Sequence, residues 1–262
     1  MLELSGLYKT YDANLPTRTE LFRGLDFSVE QGEFVSIVGS NGSGKTTLLN
    51  IIAGTVASDA GRIALLGRNV TRTKEFKRAR HIARVFQDPK LGTCPIMTVA
   101  ENLAMATRKG RPYGLTIALK RREREKYRDA LKTLDMGLEN KLDVLTGQLS
   151  GGQRQALALL MATMSGPDLL LLDEHTAALD PRTSVHIMEL TQRIVSERHI
   201  TTLMVTHNLS FALGYGSRLV MLHSGKVLFD VKGEEKQSQT IEGLIEKFQQ
   251  AQGVISDTMA FG

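Results

Sequence analysis

The chain has no tryptophan, a single cysteine and only 5% aromatic residues among its 262 positions. One thiol, Cys94, excludes an intrachain disulfide and a cysteine-rich metal cluster, and suits a reducing compartment. Nothing around Cys94 would activate it as a nucleophile, which leaves packing as its expected role. So few aromatic rings give poor support to a base-stacking surface, and no nucleic acid is expected as a partner. No stretch approaches the ~18 consecutive apolar residues of a membrane helix. The segment Met1 to Thr10 contains Glu3 and Lys9 and lacks the apolar core of a signal peptide. The expectation is a chain that neither crosses a membrane nor is exported.

With 42% hydrophobic and 23% charged residues, the chain can bury a full core. Its net charge of +5 is concentrated in Lys120 to Arg128. Glu123 and Glu125 interleave there, so the run reads as a solvated helix face; proximity to lipid headgroups is the functional alternative.

Strand signals dominate the first forty residues: Leu2 to Tyr8, Leu21 to Val29 and Glu33 to Val38, with Pro16 in the polar segment between the first two. Gly61 to Leu66 and Ile82 to Phe86 read as further strands. From Thr98 to about Leu145 the pattern is helical, including a long basic helix ending near Leu134. A helix from Gly151, an apolar strand at Leu169, a helix from Ser184 and a strand at Thr201 to Val205 follow. Arg218 to His223 and Lys226 to Asp230 form an expected hairpin turned at Ser224-Gly225, and Ile241 to Phe248 is amphipathic. No internal repeat is seen, so the chain reads as a single unit.

Three segments carry chemistry. Gly39-Ser40-Asn41-Gly42-Ser43-Gly44-Lys45-Thr46 fits G-x-x-x-x-G-K-[ST] at every fixed position, between a strand and a helix opening with Thr47. Its glycines let the backbone wrap phosphates. Lys45 supplies a cation for the β- and γ-phosphates and the Thr46 hydroxyl can ligate Mg²⁺. Leu169 to Leu172 deliver Asp173 to a strand end, where it can hold Mg²⁺ through water. Glu174, one residue on, projects differently and can polarise an attacking water as general base. Between the two lies Leu149-Ser150-Gly151-Gly152-Gln153, with Ser150 as N-cap of a strong helix whose positive end can face a γ-phosphate.

This ordered set resembles the ATPase subunits of ABC transporters over nearly the whole chain. The resemblance implies an α/β fold of the P-loop NTPase class: an ABC-type ATPase with a mixed-sheet core, an N-terminal antiparallel β subdomain and an inserted helical subdomain. It implies a core from residues 1–88 and 165–240, a helical subdomain at 89–164 and a C-terminal tail at 241–262. By the same resemblance, ATP and Mg²⁺ are the cofactors. Two ATPs are sandwiched head to tail in a homodimer, with Leu149 to Gln153 completing the partner's site. Gln87 matches the glutamine that senses Mg²⁺ and water, His207 the switch histidine at the γ-phosphate, and Asp180 the loop that communicates across the dimer. Tyr11 matches the ring that stacks on adenine, with Tyr8 the competitor. Leu91, Pro95, Ile96 and Met97, with Glu101 at the rim, are the expected groove for a permease helix.

One departure stands out. Most family members have proline after the catalytic glutamate, where this chain has His175. With Leu91 to Thr98 and Leu157 to Thr163, it resembles a bacterial subgroup that accompanies a separate permease and an extracytoplasmic binding protein and imports amino acids such as tryptophan. That implies a position at the cytoplasmic face of the cell membrane. An exporter or lipid/lipoprotein extractor is the alternative, since the region between Tyr11 and Leu21 is long. Non-transport relatives carry coiled-coil inserts or tandem units, and neither is seen here.

Overall fold

The computed structural model describes residues 1–12, 18–108 and 121–260, with side chains described to residue 250. Part of the Tyr11–Leu21 connection, Lys120 and the last two residues lie outside the described residues. The strands are β1 (Leu2–Tyr11), β2 (Thr19–Val29), β3 (Phe34–Gly39), β4 (Ala60–Leu65), β5 (Arg68–Asn69), β6 (Ile82–Val85), β7 (Leu169–Asp173), β8 (Thr201–Val205), β9 (Arg218–His223) and β10 (Lys226–Lys232). The helices are α1 (Lys45–Ala53), α2 (Glu75–Arg78), α3 (Val99–Thr107), α4 (Arg121–Lys132), α5 (Gly151–Met164), α6 (Pro181–Arg198), α7 (Leu209–Gly214), α8 (Glu234–Gln237) and α9 (Ile241–Ala260). The chain divides into two compact units, one of Met1–Arg78 with Thr201–Gly262 and one of Ala79–Ile200.

The first unit holds an antiparallel sheet ordered β2-β1-β4-β5 and a mixed arrangement in which β3 runs parallel to both β8 and β9. Along β1, Leu2 and Leu4 face inward and Glu3 and Ser5 outward. At Gly6 (φ 55°) the register slips, so Leu7 is the next residue buried. Strand β3 is buried throughout Phe34–Val38, the mark of a strand covered on both faces. On one side Val38, Leu219, Met221 and Val231 pack against Ala212 of α7 and Leu244 of α9. Each such side chain contributes about 1.5–3 kcal/mol of apolar burial.

The expected hairpin is β9–β10, with His223 opposite Lys226. Its turn residues Ser224 and Gly225 both have left-handed backbones (φ 45° and 72°), the twist a two-residue hairpin favours. Position 225 also requires glycine for space, because a Cβ there would sit 1.5 Å from the Leu21 carbonyl oxygen.

In the second unit β6 and β7 pair in parallel, Ile82 opposite Leu169 and Val85 opposite Leu172. Helix α5 is buried from Arg154 through Leu160 and forms the centre of this unit. Helix α6 begins at Pro181, three residues before the expected Ser184. The Asp180 side chain accepts from the Thr183 amide, and proline fits the first turn, whose amides need no helical partner. Helix α4 buries only Tyr127 and Leu131. Its charges pair locally, Arg121 with Glu125, Arg124 with Asp143 and Lys132 with Asp129, which suits a solvated face.

Candidate functional site

The phosphate-loop glycines have steric reasons to be glycine. A Cβ on Gly39 would lie 2.2 Å from the Leu222 carbonyl oxygen, and one on Gly44 would lie 2.8 Å from the Phe22 ring. Gly44 takes φ 101° and occupies the N-cap position of α1, where no side chain caps the helix. Lys45 is 7% exposed, and its ammonium donates to the Gly39 and Ser40 carbonyls at 2.8 and 2.9 Å. The Ser43 hydroxyl is buried without a hydrogen-bond partner. A helix N-terminus without a side-chain cap, a close-approach backbone, a buried cation and an orphaned hydroxyl fit a nucleoside triphosphate. Thr46 and Thr47 lie in the first turn of α1, Thr46 exposed and Thr47 half-buried, while Asn41 and Gly42 are exposed at the loop tip.

The loop is braced from the β9–β10 hairpin. The Gly225 amide donates to the Ser43 carbonyl at 3.2 Å, and the Ser40 hydroxyl lies 3.4 Å from His223 Nδ1. His223 and Gly225 lie about 180 residues downstream of the loop, so no local pattern marks them. His207 is exposed just after β8, ahead of the Asn208 cap of α7. Tyr11 ends β1 at 39% exposure, with Lys9 Nζ 5.3 Å from its ring centroid. The Tyr8 hydroxyl rests over Gly24, close enough that a Cβ there would lie at 3.2 Å.

In the second unit, Asp173 ends the wholly buried Leu169–Leu172 run at 8% exposure. Arg84 on β6 donates to its Oδ2 at 2.5 Å, and the guanidinium lies 4.7 Å from the Phe86 ring. Arg84 thus fixes the Asp173 carboxylate, a role its place in an otherwise apolar strand hints at. Glu174 is half-buried and takes a left-handed backbone, φ 47°. For a non-glycine residue that costs of order 1 kcal/mol or more, and such strain clusters at functional positions. Gln87 is exposed two residues after the end of β6. The fully buried Gln155 donates from Nε2 to the Phe86 carbonyl, tying the helix behind the signature to the residue before Gln87.

Ser150 caps α5. Its hydroxyl accepts from the Gln153 amide while Gln153 Oε1 accepts from the Ser150 amide. Gln153 also donates to the Met136 carbonyl and accepts from Lys141. Its side chain therefore rigidifies the segment. Arg154 holds the preceding loop through the carbonyls of Thr146, Gly147 and Leu149. Leu149 is buried, whereas Ser150 and Gly151 are exposed. At Gly152 a Cβ would fall 2.4 Å from Thr183 Cγ2, so glycine lets α5 approach the first turn of α6. The Asp180 carboxyl is held below its usual range by the hydroxyl and amide of Thr183.

His175 occupies the position after Glu174 and is fully buried. Desolvation lowers its pKa to about 4. The Thr191 hydroxyl gives its proton to the Ile187 carbonyl at 2.7 Å, so the 3.2 Å contact with His175 requires Nε2–H to donate. The ring ties the Glu174 turn to α6, and Ser184 adds a bond to the Thr176 carbonyl. A histidine with a depressed folded-state pKa destabilises on protonation. Above pH 6.5 it is neutral in both states; between 6.5 and 4 only the unfolded chain takes up the proton. That difference costs about 2 kcal/mol by pH 5. Urea unfolding at pH 7 and 5 should therefore show wild type losing roughly that much more stability than His175→Asn. Equal losses would refute the assignment.

Residues 22–177 match the ABC transporter family. The chain belongs to that family. It is the ATP-hydrolysing subunit of a transporter. It is 49% identical to a tyrosine transport ATP-binding protein of Clostridioides difficile, over 96% of this chain and 100% of that one. It is 30% identical to a bacitracin export ATP-binding protein of Halalkalibacterium halodurans, over 97% of this chain and 96% of that one. A solved dimeric ATP-binding cassette in a post-hydrolysis state, bound to ADP and Pi, superposes with a TM-score of 0.76 at 29% identity, over 88% of this chain and 98% of that one. The cassette fold is the expected P-loop class, with a mixed sheet and an antiparallel N-terminal sheet. No helix among the described residues is long and apolar enough to cross a membrane.

Proposed function

We propose that this cassette drives import of an aromatic amino acid, tyrosine or a close analogue, through a separate permease at the cytoplasmic face of the bacterial membrane, supplied by an extracytoplasmic binding protein. The carrying observation is the full-length match at 49% identity to a tyrosine transport ATP-binding protein. The exporter reading rests on lower identities of 30 and 35% to export ATP-binding proteins. In this reading Tyr11 stacks on adenine, and residues 39–47 bind phosphates with Lys45 as the cation. Thr46, Gln87 and Asp173 would hold Mg²⁺, which would supply charge neutralisation for the phosphates. Glu174 takes the proton from the attacking water, with Gln87 and His207 beside the γ-phosphate. Residues 149–153 complete the site of a second copy and Asp180 links the two.

The groove for the permease is supported by exposure. Ile96 is 82% and Leu91 69% exposed, while Met97 is half-buried. Their loop is held firm from below. Asn102, 1% exposed, accepts from the Cys94 amide at 2.7 Å and donates to the carbonyls of Cys94, Met97 and Thr98. The Thr98–Glu101 capping box adds to this, and Thr98 holds the Glu101 carboxyl below its usual range. A rigid loop presenting a bare isoleucine suits a partner helix.

Proteoliposomes of the cassette, its permease and its binding protein should take up labelled tyrosine on ATP addition. Ile96→Asp should cut both uptake and permease co-purification at least ~10-fold while leaving ATP binding intact. Efflux or no movement of tyrosine would sink the substrate reading. Normal assembly of Ile96→Asp would move the docking site elsewhere.

A further inference from the structure

We propose that the segment from Arg72 to Lys77 is a lipid-contacting surface that seats this subunit directly on an anionic bilayer, independently of any permease helix. Phe76 is 66% exposed on α2, one of the barest large apolar side chains among the described residues. Arg72, Lys74 and Lys77 flank it and are all exposed, and Arg62 and Arg68 are exposed on the preceding strands β4 and β5. Glu75 is the sole acidic residue between positions 62 and 77. None of these five cations makes an ion pair with a described residue, in contrast to the locally paired charges of α4. Arg72 also lines an open cleft of about 620 Å³ with Gly61, Asn69, Thr71 and Thr73.

The segment is fixed in place. Arg78, 3% exposed, donates to the Thr71 and Thr73 carbonyls at 3.1 and 2.9 Å, and to the Ile51 and Ile52 carbonyls at the end of α1 at 2.8 and 2.9 Å. A buried guanidinium spending four hydrogen bonds on carbonyls holds the loop against the core and leaves the neighbouring cations outward. A bare aromatic ring amid unpaired lysines and arginines is the composition of an interfacial anchor: the ring enters the headgroup layer and the cations meet lipid phosphates. A protein partner would need matching acidic and apolar groups. An anionic membrane supplies both everywhere, and a transporter subunit works beside one.

The test is co-sedimentation of the full-length chain with vesicles of phosphatidylcholine alone or mixed equally with phosphatidylglycerol. Binding to the anionic vesicles should exceed binding to neutral ones by at least ~10-fold and fall steeply as salt rises. Lys74→Glu with Lys77→Glu should weaken it by more than ~10-fold, and Phe76→Ser should weaken it several-fold even at low salt. Arg121→Glu with Arg122→Glu on α4 should change it little. Equal binding to both vesicles, or binding unaffected by the α2 substitutions, overturns the proposal. So does loss of permease assembly in detergent by those variants with no vesicle binding by wild type, which would make the surface a protein interface. Tyrosine uptake is not read here, so failure of the import reading leaves this result standing.

Discussion

Glu174→Gln should lose hydrolysis by about 100-fold or more while still binding Mg-ATP, and should accumulate as an ATP-bound dimer. The substitution keeps size and hydrogen-bonding capacity and removes only the basic lone pair. Backbone effects are small, because glutamine meets the left-handed φ of 47° as glutamate does. The Arg84–Asp173 ion pair next door is untouched, so Mg²⁺ affinity is expected to persist. Single-turnover phosphate release and size-exclusion chromatography with ATP would decide. Turnover within a few-fold of wild type would remove Glu174 from the role of base, and a general loss of nucleotide binding would mark it as structural.

How far the sequence reveals this site depends on how local each feature is. The helix opening at Lys45, the Ser150 N-cap and the apolar strand into Asp173 are written in consecutive residues, and each element is found where the pattern places it. The start of α6 was equally legible in principle: Asp180-Pro181 is an N-cap followed by a first-turn proline, and periodicity alone obscured it. What could not be read are contacts between distant segments. Arg78 looks like one more surface cation in a basic stretch, yet it is buried on four carbonyls. Gln155 looks like a polar position on a helix, yet it reaches the Phe86 carbonyl 69 residues away. His175 reads as a turn residue standing in for proline. Only burial reveals it as a neutral tether.

Ser150→Asp and Lys45→Ala chains, each inactive alone, should regain roughly a quarter of wild-type ATPase when mixed one to one. Random pairing makes half of the dimers heterodimers. In a shared-site dimer each heterodimer has one site with both lesions and one with neither. Aspartate is the better probe than a bulkier residue because it retains the acceptor that caps α5, yet sets a carboxylate against an incoming γ-phosphate. Gly152 would be a poorer choice, since its Cβ would strike Thr183 at 2.4 Å and disturb the Asp180 turn within the same chain. Co-purification through two different tags establishes that heterodimers form. Heterodimers of wild type with a chain carrying both lesions, isolated through the two tags, supply the contrast: they have one lesion in each site and should be inactive. If tagged heterodimers of the two single variants form and stay as inactive as their parents, residues 149–153 do not act on the partner's nucleotide.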